Sequence, residues 1–361
     1  MTSNVATAQT SLAEKPIPEH DILGPEAWMP GELLADTSWV QTLTDEDRAE
    51  LDAGVRAVKE RGLEAGRFGR ESFPLPRLRS RLDSYVDMLE NGRGVVLLRG
   101  VDVHAYDLDD LKRLYWGLIL SLGTPMTQNA RGDVIGNVKA FGRSMTEKNV
   151  RGYSTNEALP PHCDPGDAVS LLCVSCAETG GGSVIASSVA IFNEIRKTHP
   201  EYLPYLFRGF HFDLRGEGAT RDPDEVTRHP VPVYSWYDGR LSCRFNQRTI
   251  IGGQVKAGRP LEGEELAAVE EVGRLVRDPR FHHVMQLEPG DIQLLCNHSV
   301  LHYRHHFEDG ASPSTQRHLL RIWFNLDEAV ARRLEPHFAE RHNTGPRGGI
   351  HVHEDHAGWI P

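Results

Sequence analysis

Apolar residues recur at helical spacing through much of the first half of the chain. Leu51, Val55 and Val58 lie on one face of a segment that begins at Thr42 and ends near Gly62, and this spacing predicts a helix. The same criterion predicts four more helices, over residues 78–89, 107–122, 188–206 and 260–277.

Shorter apolar segments separated by turn residues dominate the remainder of the chain. They predict strands over residues 94–99, 168–177, 231–237, 241–245, 281–287, 291–296 and 318–326. Asp238-Gly239 fits a two-residue hairpin turn between two of these strands, and Glu288-Pro-Gly290 fits a second turn. Helices followed by many short strands predict an α+β, β-rich fold with an antiparallel barrel or jelly-roll core.

Three segments lack this periodicity. Residues 1–25 are polar and punctuated by proline, so we expect them to be disordered, and residues 336–361 form a polar C-terminal tail. Residues 26–335 then make a single domain. Within it, residues 123–161 form a Gly/Asn-rich loop, and loops of that length in compact domains are usually functional. We expect this loop to be a substrate lid.

Composition argues against two classes of partner, nucleic acids and membranes. The 361 residues carry a net charge of −11 and no Lys/Arg block, which argues against a nucleic-acid partner. No apolar run approaches the ~20 residues that a membrane span needs, so no membrane partner is expected. The N-terminus has neither the basic start nor the apolar segment of a secretory signal. The oligomeric state stays open, a homo-oligomer included.

The five cysteines lie mostly in apolar segments, and their odd number favours reduced thiols and a cytoplasmic location. Cys173 and Cys176 form a CxxC motif. Residues three apart on a strand face opposite sides, so we interpret this motif as structural.

The most informative motif is Leu159-Pro-Pro-His-Cys-Asp164. His162 and Asp164 are two residues apart, and on extended backbone their side chains point the same way. An imidazole and a carboxylate placed in this way can bind one metal ion. A histidine from a distant strand would complete a 2-His-1-carboxylate site, which leaves coordination positions open for O₂ chemistry on Fe(II).

Two other His-x-Asp pairs occur, in His211-Phe-Asp213 and His353-Glu-Asp355. His211 lies in a polar, charged stretch and His353 lies near the C-terminus, where fraying is common. Only His162 is followed by an apolar strand and a Gly-rich turn. The segment His351-Val-His-Glu-Asp-His356 is interpreted as an adventitious metal binder.

Candidates for the third ligand cluster in residues 297–306. His298 and His302 share parity, so alternation cannot choose between them, and geometry favours His302 only slightly because it begins a new extended segment. Downstream, alternation places Arg317 and Arg321 on the inner face of a late strand. A buried carboxylate of a dicarboxylate cosubstrate needs such a partner, and arginine gives the strongest bidentate pairing.

These motifs, in this order, resemble the TauD/TfdA (clavaminate synthase-like) family of Fe(II)/2-oxoglutarate-dependent dioxygenases. The matching segments within residues 90–326 are Leu-Pro-Pro-His162-Cys-Asp164, Thr179-Gly-Gly-Gly-Ser183, Val300-Leu-His302-Tyr-Arg304 and Arg317-His-Leu-Leu-Arg321. The resemblance implies a double-stranded β-helix (jelly-roll) core with helices packed outside it. It also implies Fe(II), 2-oxoglutarate and O₂, which together oxidise a C–H bond of a small-molecule substrate and release succinate and CO₂. Hydroxylation is the default outcome; desaturation and cyclisation stay open.

The resemblance also implies roles for individual residues. The iron ligands are His162, Asp164 and His302. Arg317 holds the far carboxylate of 2-oxoglutarate, and Ser183 stands where the family often has a threonine that contacts the same carboxylate. Arg321 is similar to a second arginine that orients 2-oxoglutarate or an anionic substrate.

Five residues are candidates for contact with the substrate, and two alternative functions stay open. The candidate substrate residues are Asn129, Tyr153 and Thr155 in the long loop, and Arg244 and Asn246. One alternative is a non-catalytic, cupin-like metal-binding or 2-oxoglutarate-sensing protein. The other is a zinc hydrolase with the same three ligands, which would need a nearby general base.

Overall fold

The computed structural model describes residues 16–146 and 150–353. Its helices are α1 (Pro30–Ala35), α2 (Asp45–Glu60), α3 (Arg79–Glu90), α4 (Leu108–Leu120), α5 (Ser188–Thr198), α6 (Leu203–Arg208), α7 (Gln247–Lys256), α8 (Gly263–Arg277) and α9 (Pro336–Ala339). In the described part of the chain, none of them has the length and apolar character needed to cross a membrane.

The strands are short, as the sequence predicts. They are β1 (Val40–Thr42), β2 (Val95–Arg99), β3 (Thr124–Pro125), β4 (Gly136–Val138), β5 (Leu159–His162), β6 (Ala168–Ser175), β7 (Thr179–Gly180), β8 (Ser183–Ser187), β9 (Tyr234–Tyr237), β10 (Arg240–Cys243), β11 (His282–Met285), β12 (Ile292–Cys296), β13 (Val300–Arg304), β14 (Phe307–Glu308) and β15 (His318–Asn325). Asp238 and Gly239, both with positive φ, turn β9 into β10 as predicted.

Two sheets form the core. The larger has the order β1-β2-β12-β6-β15-β3, with β4 also paired to β15, and its β1–β2 pair is parallel. The smaller is antiparallel, with the order β11-β8-β13-β5. The predicted α+β fold with a double-stranded β-helix (jelly-roll) core and helices outside it is therefore confirmed.

Each face of the two sheets is buried against a different layer. Val169 and Trp323 of the larger sheet pack against Ile185 and Val300 of the smaller one. On the outer face of the larger sheet, residues of β12 and β15 pack against α2, α3 and α4. On the outer face of the smaller sheet, Leu301 packs against α5 and α8. This burial on both faces explains why all five residues of β12 are buried, the polar Gln293 included.

Two predicted helices differ from the structure. The helix predicted over 188–206 is interrupted at His199, which leaves the helical conformation (φ −143°) before Pro200. Proline disfavours the helical region for the residue that precedes it. Helix α7 was not predicted, because its Gly252-Gly253 pair argues against a helix. A Cβ at Gly253 would lie 2.2 Å from the carbonyl oxygen of His211, so close packing requires the glycine.

The described chain packs beyond both predicted domain boundaries. Within the segment predicted to be disordered, the backbone N–H of Ile22 donates to Asn193 Oδ1 of α5 (2.9 Å). Residues 1–15 lie outside the described residues. After residue 335, Phe338 and Ile350 are buried in the core, so residues 336–353 pack against the domain rather than extending as a tail.

Candidate active site

His162, Asp164 and His302 meet at one end of the smaller sheet. His162 is the last residue of β5 and pairs in register with His302 of β13. His162 Nε2 lies 3.9 Å from Asp164 Oδ1, and His302 Nε2 lies 3.6 Å from Asp164 Oδ2. One ligand atom from each of the three residues lies within 4.8 Å of the others. Within residues 16–146 and 150–353, this is the one such group of histidine, cysteine and carboxylate side chains.

Backbone contacts fix the orientation of this group. The Nδ1 atom of His162 contacts the carbonyl oxygen of Pro160 (2.9 Å), which makes Nδ1 the donor and leaves Nε2 with a free lone pair. The backbone N–H of Asp164 donates to Asn297 Oδ1 (3.0 Å), and Asn297 Nδ2 donates to the carbonyl oxygen of Gly166 (3.0 Å). Asn297 therefore holds the loop that carries Asp164.

The electrostatics keep His162 and Asp164 in metal-binding protonation states. Burial, reinforced by His302, lowers the pKa of His162 to about 4, so its imidazole is neutral at pH 7. Burial alone would raise the pKa of Asp164, but Arg321 and His302 outweigh it and hold the pKa well below its ordinary value. A neutral imidazole beside an ionised carboxylate suits a divalent metal site.

The competing histidines have other partners. His298 is buried, and its Nε2 donates to Asp167 Oδ1 (2.9 Å), away from the three-residue group. His211 contacts the carbonyl oxygen of Thr227, and Asp213 pairs with a lysine of α7. The His351-Val-His-Glu-Asp-His356 segment is described only as far as residue 353, so its prediction as an adventitious metal binder lies partly outside the described residues.

Arg317 and Ser183 lie on neighbouring parts of the barrel. Arg317 is 6 % exposed and sits 5.3 Å from the ring centre of Phe307, and its Nη1 has no hydrogen-bond partner among the described residues. Gly181 has φ 74°, and a Cβ there would lie 3.2 Å from Arg317 Nε. The Gly-rich turn therefore lets the guanidinium approach the backbone. Ser183 is buried and shares a hydrogen bond with Gln293 (3.1 Å).

The CxxC thiols contradict one prediction. Strand alternation places Cys173 and Cys176 on opposite sides, but their Sγ atoms lie 3.8 Å apart. The strand β6 ends at Ser175, where its pairing with β15 shifts register, so alternation does not extend to Cys176. A hydrogen bond from Cys173 lowers the pKa of Cys176 below its ordinary value.

A cavity opens beside His162 and Asp164, and three of the five candidate substrate residues line it. These are Tyr153, Arg244 and Asn246. The other two lie elsewhere. Asn129 holds a turn in the long loop by accepting from Arg131 N (3.0 Å), and the buried hydroxyl of Thr155 donates to the carbonyl oxygen of Gly152 (3.0 Å).

Arg321 forms the inner wall of this cavity. Its Nε donates to Gln128 Oε1 (2.8 Å), and its Nη1 lies 3.9 Å from Asp164 Oδ1. The guanidinium also stacks between the rings of Tyr153 (4.9 Å) and Trp323 (4.5 Å). Arg321 thus faces the cavity, as strand alternation predicts.

Four further residues of the cavity wall, three arginines and a histidine, were not predicted. They are Arg151, Arg215, Arg248 and His342. All four come from outside the core strands, three of them from loops and Arg248 from α7, so neither periodicity nor a motif marks them. Burial and the neighbouring arginines Arg244 and Arg151 lower the pKa of His342 well below its ordinary value.

Comparison with known proteins assigns the family. Residues 59–323 match the sequence profile described as "Taurine catabolism dioxygenase TauD, TfdA family". The chain belongs to the TauD/TfdA family. It is therefore an Fe(II)- and 2-oxoglutarate-dependent dioxygenase that uses O₂, and the family predicted from its motifs is confirmed.

Two curated members of the TauD/TfdA family match most of the chain. FR-33289 synthase of Streptomyces rubellomurinus is 32 % identical over 311 residues, covering 85 % of this chain and 91 % of that protein. The taurine hydroxylase-like protein SAT17 of Stachybotrys chartarum is 28 % identical over 321 residues, covering 86 % and 81 %.

Solved structures of similar fold include asparagine oxygenase in complex with Fe(II), 2S,3S-3-hydroxyasparagine and succinate. It superposes with a TM-score of 0.62 at 16 % identity, over 80 % of this chain and 93 % of that one. At this identity the likeness shows the fold that the TauD/TfdA chain shares with it.

Proposed function

We propose that this dioxygenase hydroxylates a C–H bond of a small molecule held in the cavity beside His162. In this proposal His162, Asp164 and His302 bind the iron. Arg317 binds the far carboxylate of 2-oxoglutarate, with Ser183 beside it. The convergence of three ligand atoms within 4.8 Å, two of them from residues that line the cavity, carries the proposal.

The donor set fits Fe(II). The Nε2 atoms of His162 and His302 lie farther from Asp164 than a hydrogen bond allows, so their lone pairs are available to a metal. Two imidazoles and one carboxylate leave coordination positions for a chelating cosubstrate and O₂. Fe(II) held by these three residues would supply the redox chemistry that couples O₂ and 2-oxoglutarate to oxidation of the substrate C–H bond. The balanced reaction converts substrate, O₂ and 2-oxoglutarate into hydroxylated substrate, succinate and CO₂.

Arg317 fits the far carboxylate of 2-oxoglutarate. An arginine that is buried and has an unused N–H group is costly unless an anion pairs with it. Burial lowers the pKa of Arg317 to about 10, so it remains charged at pH 7. Its planar guanidinium matches a carboxylate in a bidentate arrangement.

The relatives support a small-molecule substrate. Their names describe a taurine hydroxylase-like protein, a synthase and an asparagine oxygenase, and none describes a macromolecular substrate. The five cysteines are free thiols in the structure, which supports a reducing, cytoplasmic location.

Succinate release tests the iron ligands. Enzyme supplied with Fe(II), 2-oxoglutarate and O₂ should produce succinate, and His302→Ala should lower that rate by at least about 100-fold, since even outer-sphere changes at metal sites cost 10- to 100-fold. His305→Ala, which changes an exposed histidine three residues away, is the matched control and should keep the rate. Equal rates in the two variants would contradict the ligand assignment.

The 2-oxoglutarate requirement tests Arg317. Arg317→Met should raise the apparent KM for 2-oxoglutarate by about 10- to 100-fold, the loss expected for a hydrogen bond to a charged group. Arg280→Met, an exposed arginine paired with Asp278, should leave the KM unchanged. A zinc hydrolase would show no dependence on 2-oxoglutarate, and a non-catalytic sensor would bind it without releasing succinate.

A further inference from the structure

The outer wall of the cavity is unusually rich in positive charge. Arg151, Arg215, Arg244 and Arg248 line it together with His342, on the side away from the core strand that carries Arg321. Only one of these residues, Arg244, was among the predicted substrate contacts. Arg317, which is proposed to bind 2-oxoglutarate, does not line this cavity.

Few carboxylates balance these guanidinium groups. Glu217 is shared, with Oε1 3.3 Å from Arg151 Nη1 and Oε2 3.8 Å from Arg215 Nη2. Asp213, which lines the cavity, already pairs with Lys256 at 2.7 Å.

The two remaining guanidinium groups donate hydrogen bonds to backbone carbonyl groups. Arg244 Nη1 donates to the carbonyl oxygen of Glu340 (2.8 Å) and Arg248 Nη2 to that of Met145 (3.1 Å). In the described ranges neither arginine has a carboxylate oxygen within 4 Å. Four guanidinium groups therefore face one shared carboxylate.

Polar atoms in this wall also lack partners. Arg215 Nε and His342 Nδ1 are buried without a hydrogen-bond partner in the described part of the chain, and His342 is 7 % exposed. Burial, followed by the neighbouring Arg341, lowers the pKa of Arg244 to about 9, and burial and Arg151 lower that of Arg215. Arg244 is buried and Arg151 and Arg215 are half-buried, whereas Arg248 is exposed. A cluster of buried and half-buried cations with an unused donor is unfavourable unless an anion binds among them.

We propose that this wall binds a dianionic tetrahedral oxyanion, a phosphate or phosphonate group, on the substrate of the hydroxylation. The inference rests on the proposed function. A single negative charge would leave most of the excess positive charge of the arginines uncompensated. A dianion with three oxygens offers one acceptor each to Arg151, Arg215 and Arg244. His342, kept neutral by its surroundings, adds a hydrogen-bonding ring without adding charge. The oxidised C–H bond then lies between this anchor and the metal-binding group.

Matched small ligands test the charge requirement on the wild-type enzyme. Calorimetry is performed without O₂, with Fe(II) and 2-oxoglutarate bound, at pH 7.5, where a phosphate monoester is a dianion because its second pKa is about 6. Ethyl phosphate and propylphosphonate should bind at least tenfold more tightly than ethyl sulfate, a monoanion of nearly the same shape, and butanol should not bind. Inorganic phosphate is the further control. A site built for the free ion would bind inorganic phosphate as tightly as it binds ethyl phosphate.

Variants locate the site. Arg215→Met and Arg244→Met should each weaken ethyl phosphate binding at least tenfold, and Arg244→Lys should weaken it less because it keeps the charge. Arg280→Met is the exposed control and should bind like the wild type. Equal affinity of the wild type for ethyl phosphate and ethyl sulfate, or a free-ion site, would overturn the inference while succinate release still supports the proposed function. Absence of succinate release would overturn the proposed function instead.

Discussion

At the scale of single residues, Asn297 shows how one buried amide positions a metal ligand. Its side chain accepts from the N–H of Asp164 and donates to the carbonyl oxygen of Gly166, so it spans the loop that follows β5. Removing the amide leaves the Asp164 N–H and the Gly166 carbonyl without partners. Asn297→Ala should therefore weaken Fe(II) binding by about 10- to 100-fold, the usual effect of residues that orient metal ligands.

The measurement is anaerobic titration of Fe(II), which reports positioning independently of turnover. Ser299→Ala, which shortens a buried side chain two residues further along the same turn, is the control. Its hydroxyl has no hydrogen-bond partner among the described residues, so the change should leave Fe(II) affinity within about twofold. Similar losses in both variants would mean that the turn as a whole, rather than the amide, determines affinity.

Residues that a motif or strand alternation marks could be predicted, and most basic residues of the outer cavity wall could not. His162 and Asp164 are two apart on extended backbone, and Arg321 shares strand parity with Trp323, so alternation alone orients them. Arg215 and His342 have positive φ (56° and 51°), and their side-chain directions depend on turns that the surrounding packing imposes. No sequence period connects residue 342 with residue 162, so the outer wall of the cavity could only be found from the fold.

At the scale of elements, the C-terminal segment is joined to the site through Asp167. This buried carboxylate accepts from Arg347 Nε (2.8 Å), His298 Nε2 (2.9 Å) and the backbone N–H of Leu326 (3.2 Å). Arg341 Nη2 lies 3.9 Å away. The segment after residue 335 reads as a polar tail because several of its inward-facing residues, Arg341 and Arg347 among them, are charged, and their partner is more than 150 residues distant in sequence.

Asp167→Asn tests this connection. The change leaves Arg341 and Arg347 facing an uncharged amide inside the protein, so the free energy of unfolding should fall by about 3–5 kcal/mol, as for other broken buried ion pairs. Asp327→Asn, which removes an exposed partner of Arg70, should cost at most about 1 kcal/mol. Urea unfolding measures both, and equal stability of the two variants would contradict a structural role for Asp167.

At the scale of the whole molecule, the helices packed around the two sheets bury or half-bury several histidines. Burial lowers the pKa of His298 to about 3 and of His318 to about 4, and it lowers those of His283 and His342 as well. In the unfolded chain these side chains titrate near pH 6.5. At a pH between the pKa of the folded protein and that of the unfolded chain, the unfolded state binds protons that the native state does not.

The sign of the pH dependence follows from this difference. Stability rises with pH wherever the unfolded state binds more protons, so these histidines should make the free energy of unfolding fall as the pH drops below about 6.5. Each contributes at most about 1.4 kcal/mol per pH unit.

Urea unfolding of EDTA-treated protein at pH 7.5, 6.5 and 5.5 should therefore show the loss of stability beginning well above the pH at which carboxylates protonate. His298→Gln should reduce the slope between pH 6.5 and 5.5 by about one proton, whereas His104→Gln, on the surface, should not change it. A stability that is constant from pH 7.5 to 5.5 would mean that the buried histidines take up protons in the native state.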